Sequence, residues 1–221
     1  MPQKDNSKGS FTIIEFCVIL LILGVIAAIA LPSLLGQSIK DGGNWSLGAN
    51  NVGTMNRAQQ AYIFDNKHFS TSIADLGIGI LTSSETYEYS LRSTPLYAIH
   101  YATPRQRKRS IKGYVGIVVL ADIDRETGEL ETGQLVCAVQ KAKTSRPSDP
   151  IFKRGAFVCP PGTKNRRQKQ RKIKIRDRDL QLAYQSLAFS EAGNSQRARE
   201  LAATIKDAKI KEKALAVCCQ K

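Results

Sequence analysis

The feature that most constrains this chain is an uncharged, apolar run near its N-terminus, residues 16–39. At 1.5 Å per residue, a helix of that length would measure about 36 Å, which is enough to cross the hydrocarbon of a bilayer. The segment before it carries Lys4 and Lys8 against Asp5, and a basic flank is expected to stay on the cytoplasmic side. The sequence therefore predicts a membrane-spanning helix over residues 16–39, with the bulk of the chain outside the cytoplasm.

Three interpretations of this segment are open. A removable secretory signal is the first, because residues 28–30 (Ala-Ile-Ala) offer a small-residue cleavage site, although the run exceeds the usual length of such signals. A plain signal anchor is the second, and it leaves Glu15, at the edge of the run, without a purpose. The third gives this carboxylate a cationic partner, since a charge at the border of hydrocarbon is costly and is normally paired or functional. A free amine created by cleavage just upstream would be such a partner.

The residues around Glu15 favour the third interpretation. The stretch SKGSFTIIEFCVILLILGVIAAIALPS resembles the type IV prepilin signature, with a short basic leader, Gly9, Phe11, a glutamate four residues later, an apolar helix and Pro32 near its end. The resemblance implies that a membrane peptidase removes a leader, residues 1–10, and methylates the new amine. It also implies that Glu15 compensates the N-terminal charge of a neighbouring subunit during assembly.

The stretch departs from the signature at the cleavage site. Ser10 stands between Gly9 and Phe11, whereas the family places glycine directly before the new N-terminal phenylalanine. Counting from Phe11 keeps the later positions in the family's register, so cleavage and methylation are expected at Gly9, Ser10 and Phe11. The residues expected to act in assembly are Glu15, Gly24 and Pro32.

The sequence after the apolar run predicts a globular head at residues 66–163. Apolar residues recur every three or four positions beyond residue 47, which predicts that the N-terminal helix, residues 11–65, continues into the head. Segments rich in Tyr, Val, Ile or Thr then predict an antiparallel sheet packed on this helix. These segments are residues 86–92, 96–101, 113–123, 134–140 and 156–159. The expected fold class is therefore α+β.

A second resemblance concerns the start of the head. Residues 50–80, NNVGTMNRAQQAYIFDNKHFSTSIADLGIGI, are similar to the early head region of cyanobacterial pilin-like proteins of the general secretion pathway H type. The two resemblances lie at the expected separation, so together they are more specific than either alone. They imply the pilin fold, in which a long N-terminal helix packs on an antiparallel sheet.

Two cysteines lie in the second half of the head. If the chain is exported, Cys137 and Cys159 are a candidate disulfide, and its loop of about 20 residues would be worth roughly 3 kcal/mol in the loop-entropy model. The alternative is a pair of buried free thiols. The two histidines, His68 and His100, are isolated from the cysteines, so no metal site is expected.

The chain is strongly basic, with 33 Lys and Arg against 19 Asp and Glu. This excess favours acidic partners such as nucleic acid, anionic lipid or an acidic protein. Two clusters concentrate the charge. The first, residues 105–112, lies between two predicted strands and is expected to be a loop. The second, residues 164–178, is expected to be a basic linker, and a merely solvated role is the alternative to anion binding there. The candidate anion-binding residues are Arg105, Arg107, Lys108, Arg109, Lys112, Lys164, Arg166, Arg167, Lys169, Arg171 and Lys172.

The C-terminal region, residues 179–221, is rich in alanine. A turn and a helix N-cap at residues 193–195 (Gly-Asn-Ser) predict two helices of unequal length. The pair resembles a single tetratricopeptide-type hairpin, which implies a protein-interaction unit. A lone hairpin cannot bury its apolar face, so it is expected to dock on the head, on a neighbouring subunit or on a partner. Cys218 and Cys219 at its end either cross-link or stay free.

Together these features predict a structural subunit, of the minor kind, of a type IV pilus or pseudopilus. The expected partners are prepilin peptidase, other pilin subunits and the assembly machinery, with the precursor in the inner membrane and the mature chain in the periplasm or in a surface filament. Two alternatives are open: a DNA-uptake subunit that uses the basic clusters, and a membrane-anchored periplasmic adaptor that acts through the C-terminal hairpin. No nucleophile-and-base pair, phosphate-binding glycine loop or metal cluster stands out, so neither an enzyme nor a cofactor is expected.

Overall fold

The computed structural model describes residues 43–108, 111–165 and 172–218. Helix α1 covers Gly43–Asn66, and a 3₁₀ helix covers Ala74–Leu76. The strands are β1 Tyr87–Ser93, β2 Tyr97–Pro104, β3 Tyr114–Ile123, β4 Leu130–Val139, β5 Ile151–Lys153, β6 Ala156–Val158, β7 Thr163–Asn165 and β8 Lys172–Lys174. The C-terminal helices are α2 Arg178–Glu191, α3 Ser195–Ala203 and α4 Ala208–Cys218.

The predicted membrane span cannot be compared with the structure. Residues 16–39 lie outside the described part of the chain, as does the predicted leader, residues 1–10. The same holds for the predicted processing and assembly residues, which are Gly9, Ser10, Phe11, Glu15, Gly24 and Pro32. Among the helices that are described, none has the length and apolar character needed to cross a membrane.

The strands form two antiparallel sheets. The larger has the order β1-β2-β3-β4-β7, and the smaller has the order β5-β6-β8. The α+β class and the antiparallel sheet are therefore confirmed, and each of the five predicted strands overlaps an observed one. Strands β5, β7 and β8, of three residues each, were not predicted.

Helix α1 packs one face on the larger sheet. Val52, Met55 and Ile63 are fully buried on this face. Gly116 of β3 permits the close approach, since a Cβ at this position would lie 2.5 Å from the Val52 side chain. The helix ends at Asn66 because Lys67 adopts a positive φ of 61° and donates its N–H to the carbonyl of Ile63 at 2.9 Å.

The segment predicted as a basic linker, residues 164–178, is structured where it is described. It contributes β7 to the larger sheet and β8 to the smaller one. Ile173 and Ile175 are buried in the main core, so their side chains hold the segment against the head. The linker interpretation is therefore wrong for residues 172–178, because the alternation of basic and apolar side chains here is that of a short strand with one buried face.

The C-terminal region forms three helices, so the predicted hairpin has the wrong number of helices. The unpredicted break lies between α3 and α4, where the backbone N–H groups of Lys206 and Asp207 donate to the carboxylate of Asp179 at 3.4 and 2.9 Å. Asp207 in turn caps α4 by accepting the N–H of Ile210 at 3.0 Å. The expected docking is confirmed, because the apolar faces of these helices belong to the main core of the head.

Candidate functional site

The predicted disulfide is present in the second half of the head. Cys137 lies on β4 and Cys159 directly follows β6, and their Cα atoms are 5.6 Å apart. Cys137 is fully buried, so the bond is anchored in the core. It closes the chain between these two positions into a loop that contains β5 and β6, and this loop is exposed along residues 143–146. Cys218 is buried and also disulfide-bonded.

The structure brings part of the two predicted basic clusters to one end of the larger sheet. The first cluster lies in the loop between β2 and β3, whose last residue, Gly113, accepts the N–H of Val139 at 2.9 Å. Lys164 of the second cluster is paired with Ala138, the neighbour of Val139 on β4. Lys172 lies instead on β8 of the smaller sheet. Outside the described residues are Arg109, Arg166, Arg167, Lys169 and Arg171.

The described members of these clusters are mostly solvent-exposed. Arg105 donates to Ser83 Oγ at 3.1 Å and to the carbonyl of Ser84 at 3.2 Å, so it stabilises the loop before β1. Arg107 and Lys108 are exposed. Among the described candidate anion-binding residues, none forms an ion pair with a carboxylate, whereas Arg176, near the end of the second cluster, pairs with Asp122 and Glu131. The charge of the candidate residues is therefore available to an acidic partner.

Three further cations at this end were missed by the sequence analysis. Lys141, Lys143 and Arg146 line a cavity of about 180 Å³ between the disulfide-closed loop and residues 161–163. They escaped notice because they are spread over six positions among polar and proline residues, so they make no dense charge run. Only the fold places them around one cavity, next to the predicted clusters. For brevity we call these three residues the cation triad.

The opposite end of the larger sheet is acidic. An open cleft of about 1030 Å³ lies between the end of α1 and the β3–β4 hairpin. Its charged lining consists of Lys67, Asp122, Asp124, Glu129 and Glu131. Arg176 neutralises part of this charge, because it pairs with Asp122 at 2.9 Å and with Glu131. The described part of the chain places no group of three or more His, Cys, Asp or Glu suitably for a metal ion.

A network of buried carboxylates connects the C-terminal helices to this acidic end. Arg125, in the β3–β4 turn, contacts Asp177 at 3.0 Å and Asp179 at 3.1 Å. Burial opposes ionisation of Asp179, but hydrogen bonds from the backbone of Asp207 and Lys206 and from Arg125 outweigh it and lower the pKa of this carboxyl. The charged form of Asp179 therefore joins α2, the start of α4 and the β3–β4 hairpin.

A helix packed on an antiparallel sheet, followed by a disulfide-closed loop, defines a pilin-like head. The chain belongs to the "Type IV pilin-like G and H" family, whose sequence profile matches residues 46–160, just over half of the chain. The match includes the disulfide and ends before the three C-terminal helices. The likeness of these helices to a tetratricopeptide-type unit stays a prediction.

The chain is also similar to the type II secretion system core protein G of Escherichia coli (strain K12). The two are 29% identical over 72 residues, which cover 33% of this chain and 48% of the relative. The chain thus matches about half the length of this curated relative. No solved structure matches the chain. The family and the relative identify a pseudopilin-like protein.

Proposed function

We propose that this chain is a structural subunit, of the minor kind, of a type II secretion pseudopilus or a related type IV pilus. Its role is to assemble with other pilin subunits through the N-terminal helix, after prepilin peptidase has removed the leader and methylated Phe11. The observation that carries the proposal is the family match, which extends over α1 and the sheet packed on it. The role is structural and not catalytic.

The outer face of α1 supports this proposal. Residues at helical spacing on the face away from the sheet are exposed or partly exposed: Leu47, Asn50, Thr54, Arg57 and Ala61. Phe64 lies at the edge of this face, where it also lines the acidic cleft. Leu47 and Phe64 are two of the few large apolar side chains that are exposed in the described part of the chain. Apart from Arg57, the residues between these apolar ends are small, and such a helix face suits packing against a second helix. The occupant we assign to this face is α1 of another subunit in the filament.

The first test is intact-mass and N-terminal analysis of the chain from cells with and without prepilin peptidase. The proposal expects a peptidase-dependent chain that begins at methylated Phe11 or at Ser10. An uncleaved chain, or one cleaved near Leu31, contradicts it in favour of an anchored adaptor or a secreted protein. In cells with the peptidase, Glu15→Leu is expected to leave cleavage intact and to reduce recovery of the chain in sheared filaments.

A matched pair of variants separates the filament subunit from the adaptor. Phe64 on α1 and Phe189 on α2 are exposed to similar extents, 46% and 39%. If α1 mediates assembly, Phe64→Ser lowers the amount of chain in the filament fraction and Phe189→Ser does not. The opposite result favours an adaptor that acts through its C-terminal helices.

The basic end of the head supports a second candidate, a subunit that also binds DNA. Cations from both predicted clusters lie at this end without carboxylate partners among the described residues. Binding through such cations releases counterions, so the affinity for duplex DNA is expected to fall steeply as salt increases. A fluorescence-anisotropy titration of the full chain at two salt concentrations tests this, and affinity that does not change with salt rejects it.

A further inference from the structure

We propose that the cation triad, Lys141, Lys143 and Arg146, forms a binding pocket for a phosphate group, supplied either as free phosphate or by a nucleic-acid backbone. This inference goes beyond the filament role and does not depend on it. The cavity of about 180 Å³ is large enough for such a group with its waters. Ser145 and Ser148 also line it and offer hydroxyl donors.

The pocket is cationic without internal neutralisation. No Asp or Glu is among the described residues that line it. The carboxylate closest along the chain, that of Asp149, is already engaged, because it accepts hydrogen bonds from Arg92 at 2.6 Å and from the hydroxyl of Tyr101 at 2.5 Å. Three like charges around one cavity repel each other, and an anion between them relieves this repulsion.

The position of Arg146 is fixed by the core of the head. Its guanidinium lies 4.6 Å from the ring centroid of Tyr101, a cation–π contact. Tyr101 is itself fully buried on β2, and its hydroxyl is held by Asp149. The ring therefore anchors the guanidinium, whose N–H groups can bind an oxyanion.

The chain around the pocket is held at both of its ends. The N–H of Gln140 donates to the carbonyl of Gly162 at 2.9 Å, which joins the two walls of the cavity. Pro147 is buried next to Gly113, at the end of the first basic cluster. The Cys137–Cys159 disulfide closes the same loop. Because these contacts limit the freedom of the cations before a ligand arrives, less ordering entropy is lost on binding.

Phosphate fits these donors better than a carboxylate does. Arginine offers a planar fork and lysine a point charge, and the two together can satisfy the oxygens and negative charge of either free phosphate or a phosphodiester. The first basic cluster lies beside the pocket and would extend the contact along a phosphodiester chain. Free phosphate and a nucleic-acid backbone both present a phosphate group, and the experiment distinguishes between these two sources.

The test uses the full chain, purified in a non-ionic detergent. Equilibrium dialysis with radiolabelled orthophosphate measures the free-anion arm, and fluorescence anisotropy with a labelled duplex measures the nucleic-acid arm. The variant K141Q/K143Q/R146Q removes the cation triad. The control variant K153Q/K174Q/K209Q removes three exposed lysines that lie outside the pocket and keeps the same net charge as the triad variant.

If the pocket binds phosphate, the triad variant loses about tenfold or more in affinity in at least one arm, and the control loses less than about threefold. Loss in the phosphate arm alone identifies a free-anion site, and loss in the DNA arm identifies a backbone contact. Equal losses in both variants, or no measurable binding in either arm, overturn the inference. The single variant K143E, at an exposed side chain, repeats the test without disturbing the Arg146–Tyr101 contact.

The phosphate pocket and the proposed DNA-binding role of the head can be rejected independently. DNA binding that depends on Arg107 and Lys108 but is unchanged in the triad variant supports a DNA-binding end, and it rejects the pocket when orthophosphate binding is also unchanged in that variant. Orthophosphate binding that is lost in the triad variant supports the pocket even when no DNA binds. Filament assembly is measured independently in cells.

Discussion

Nδ1 of His100 lies 2.8 Å from Oδ1 of Asn56, and this contact joins α1 to the larger sheet inside the core. The amide nitrogen of Asn56 donates to the carbonyls of Leu135 at 3.2 Å and Ile117 at 3.4 Å, so its oxygen must face the ring. His100 is therefore the donor at Nδ1 and neutral. Its Nε2 is buried and makes no hydrogen bond in the described structure.

Replacing Asn56 should weaken the packing of α1 on the sheet. The change Asn56→Ala leaves two buried carbonyls and the His100 N–H without their partner, so we expect the free energy of unfolding to fall by about 2–4 kcal/mol. Urea denaturation followed by circular dichroism measures this. The control is Asn66→Ala, at an exposed helix end, where a change below about 0.5 kcal/mol is expected. Similar losses in both variants would contradict the assigned role of Asn56.

Acidification should destabilise the head through His100. Burial lowers the pKa of His100 to about 3 in the folded chain, whereas an unfolded histidine titrates near 6.5. Between these values only the unfolded state binds the proton, so stability falls as pH decreases, approaching about 1.4 kcal/mol per pH unit below pH 6. Denaturation at pH 7, 6 and 5 measures this slope. His100→Gln should flatten the dependence of stability on pH. An unchanged slope in this variant would show that other titratable groups cause the dependence.

Gly133 is expected to tolerate no side chain, because Ile173 of β8 fills the space above it. A Cβ at Gly133 would collide with Cγ2 of Ile173. We expect Gly133→Ala to lower stability by about 1–3 kcal/mol, and the added change Ile173→Ala to cost less in this background than in the native chain. A double-mutant cycle measures the coupling, and additive costs would reject it. Gly53→Ala on α1 is the control, and it should stabilise slightly, because it meets nothing closer than Arg57 at 3.6 Å.

Removing the Cys137–Cys159 disulfide should destabilise the head without abolishing the fold. The double variant Cys137→Ala/Cys159→Ala frees a loop with a sequence separation of 22 residues, so we expect a loss of about 3 kcal/mol. Substitution is preferable to a reductant, because Cys218 is also disulfide-bonded. Thermal denaturation of the variant measures the loss. A stability equal to that of the native chain would show that the loop is constrained by its other contacts alone.

Neutralising Asp179 should loosen the three C-terminal helices. Asp179→Asn cannot accept both backbone N–H groups and also face Arg125, so we expect a loss of about 1.5–3 kcal/mol. Hydrogen exchange of residues 204–218 should accelerate more than that of the larger sheet. The control is Glu200→Gln, which breaks an exposed pair with Arg197 and should cost below about 0.5 kcal/mol. If hydrogen exchange is unchanged in Asp179→Asn, contacts other than those of Asp179 stabilise this region.

Local patterns determined a large part of this protein. The end of α1, the long strands and the pairing of Cys137 with Cys159 could be predicted, because helical period, β-branched composition and cysteine spacing act over short distances along the chain. The family could be recognised as well. The sequence also placed the first basic cluster in a loop, since no hydrophobic period interrupts its charges.

Other features were decided by the tertiary structure. Ile173 belongs to the core because Gly133 leaves a space for it, and α3 ends where it does because Asp179, 27 residues before Lys206, captures the next backbone N–H groups. The cation triad is a pocket only after the disulfide and Tyr101 position its loop. Each of these depends on contacts between residues far apart in the chain, whose energies no local pattern encodes.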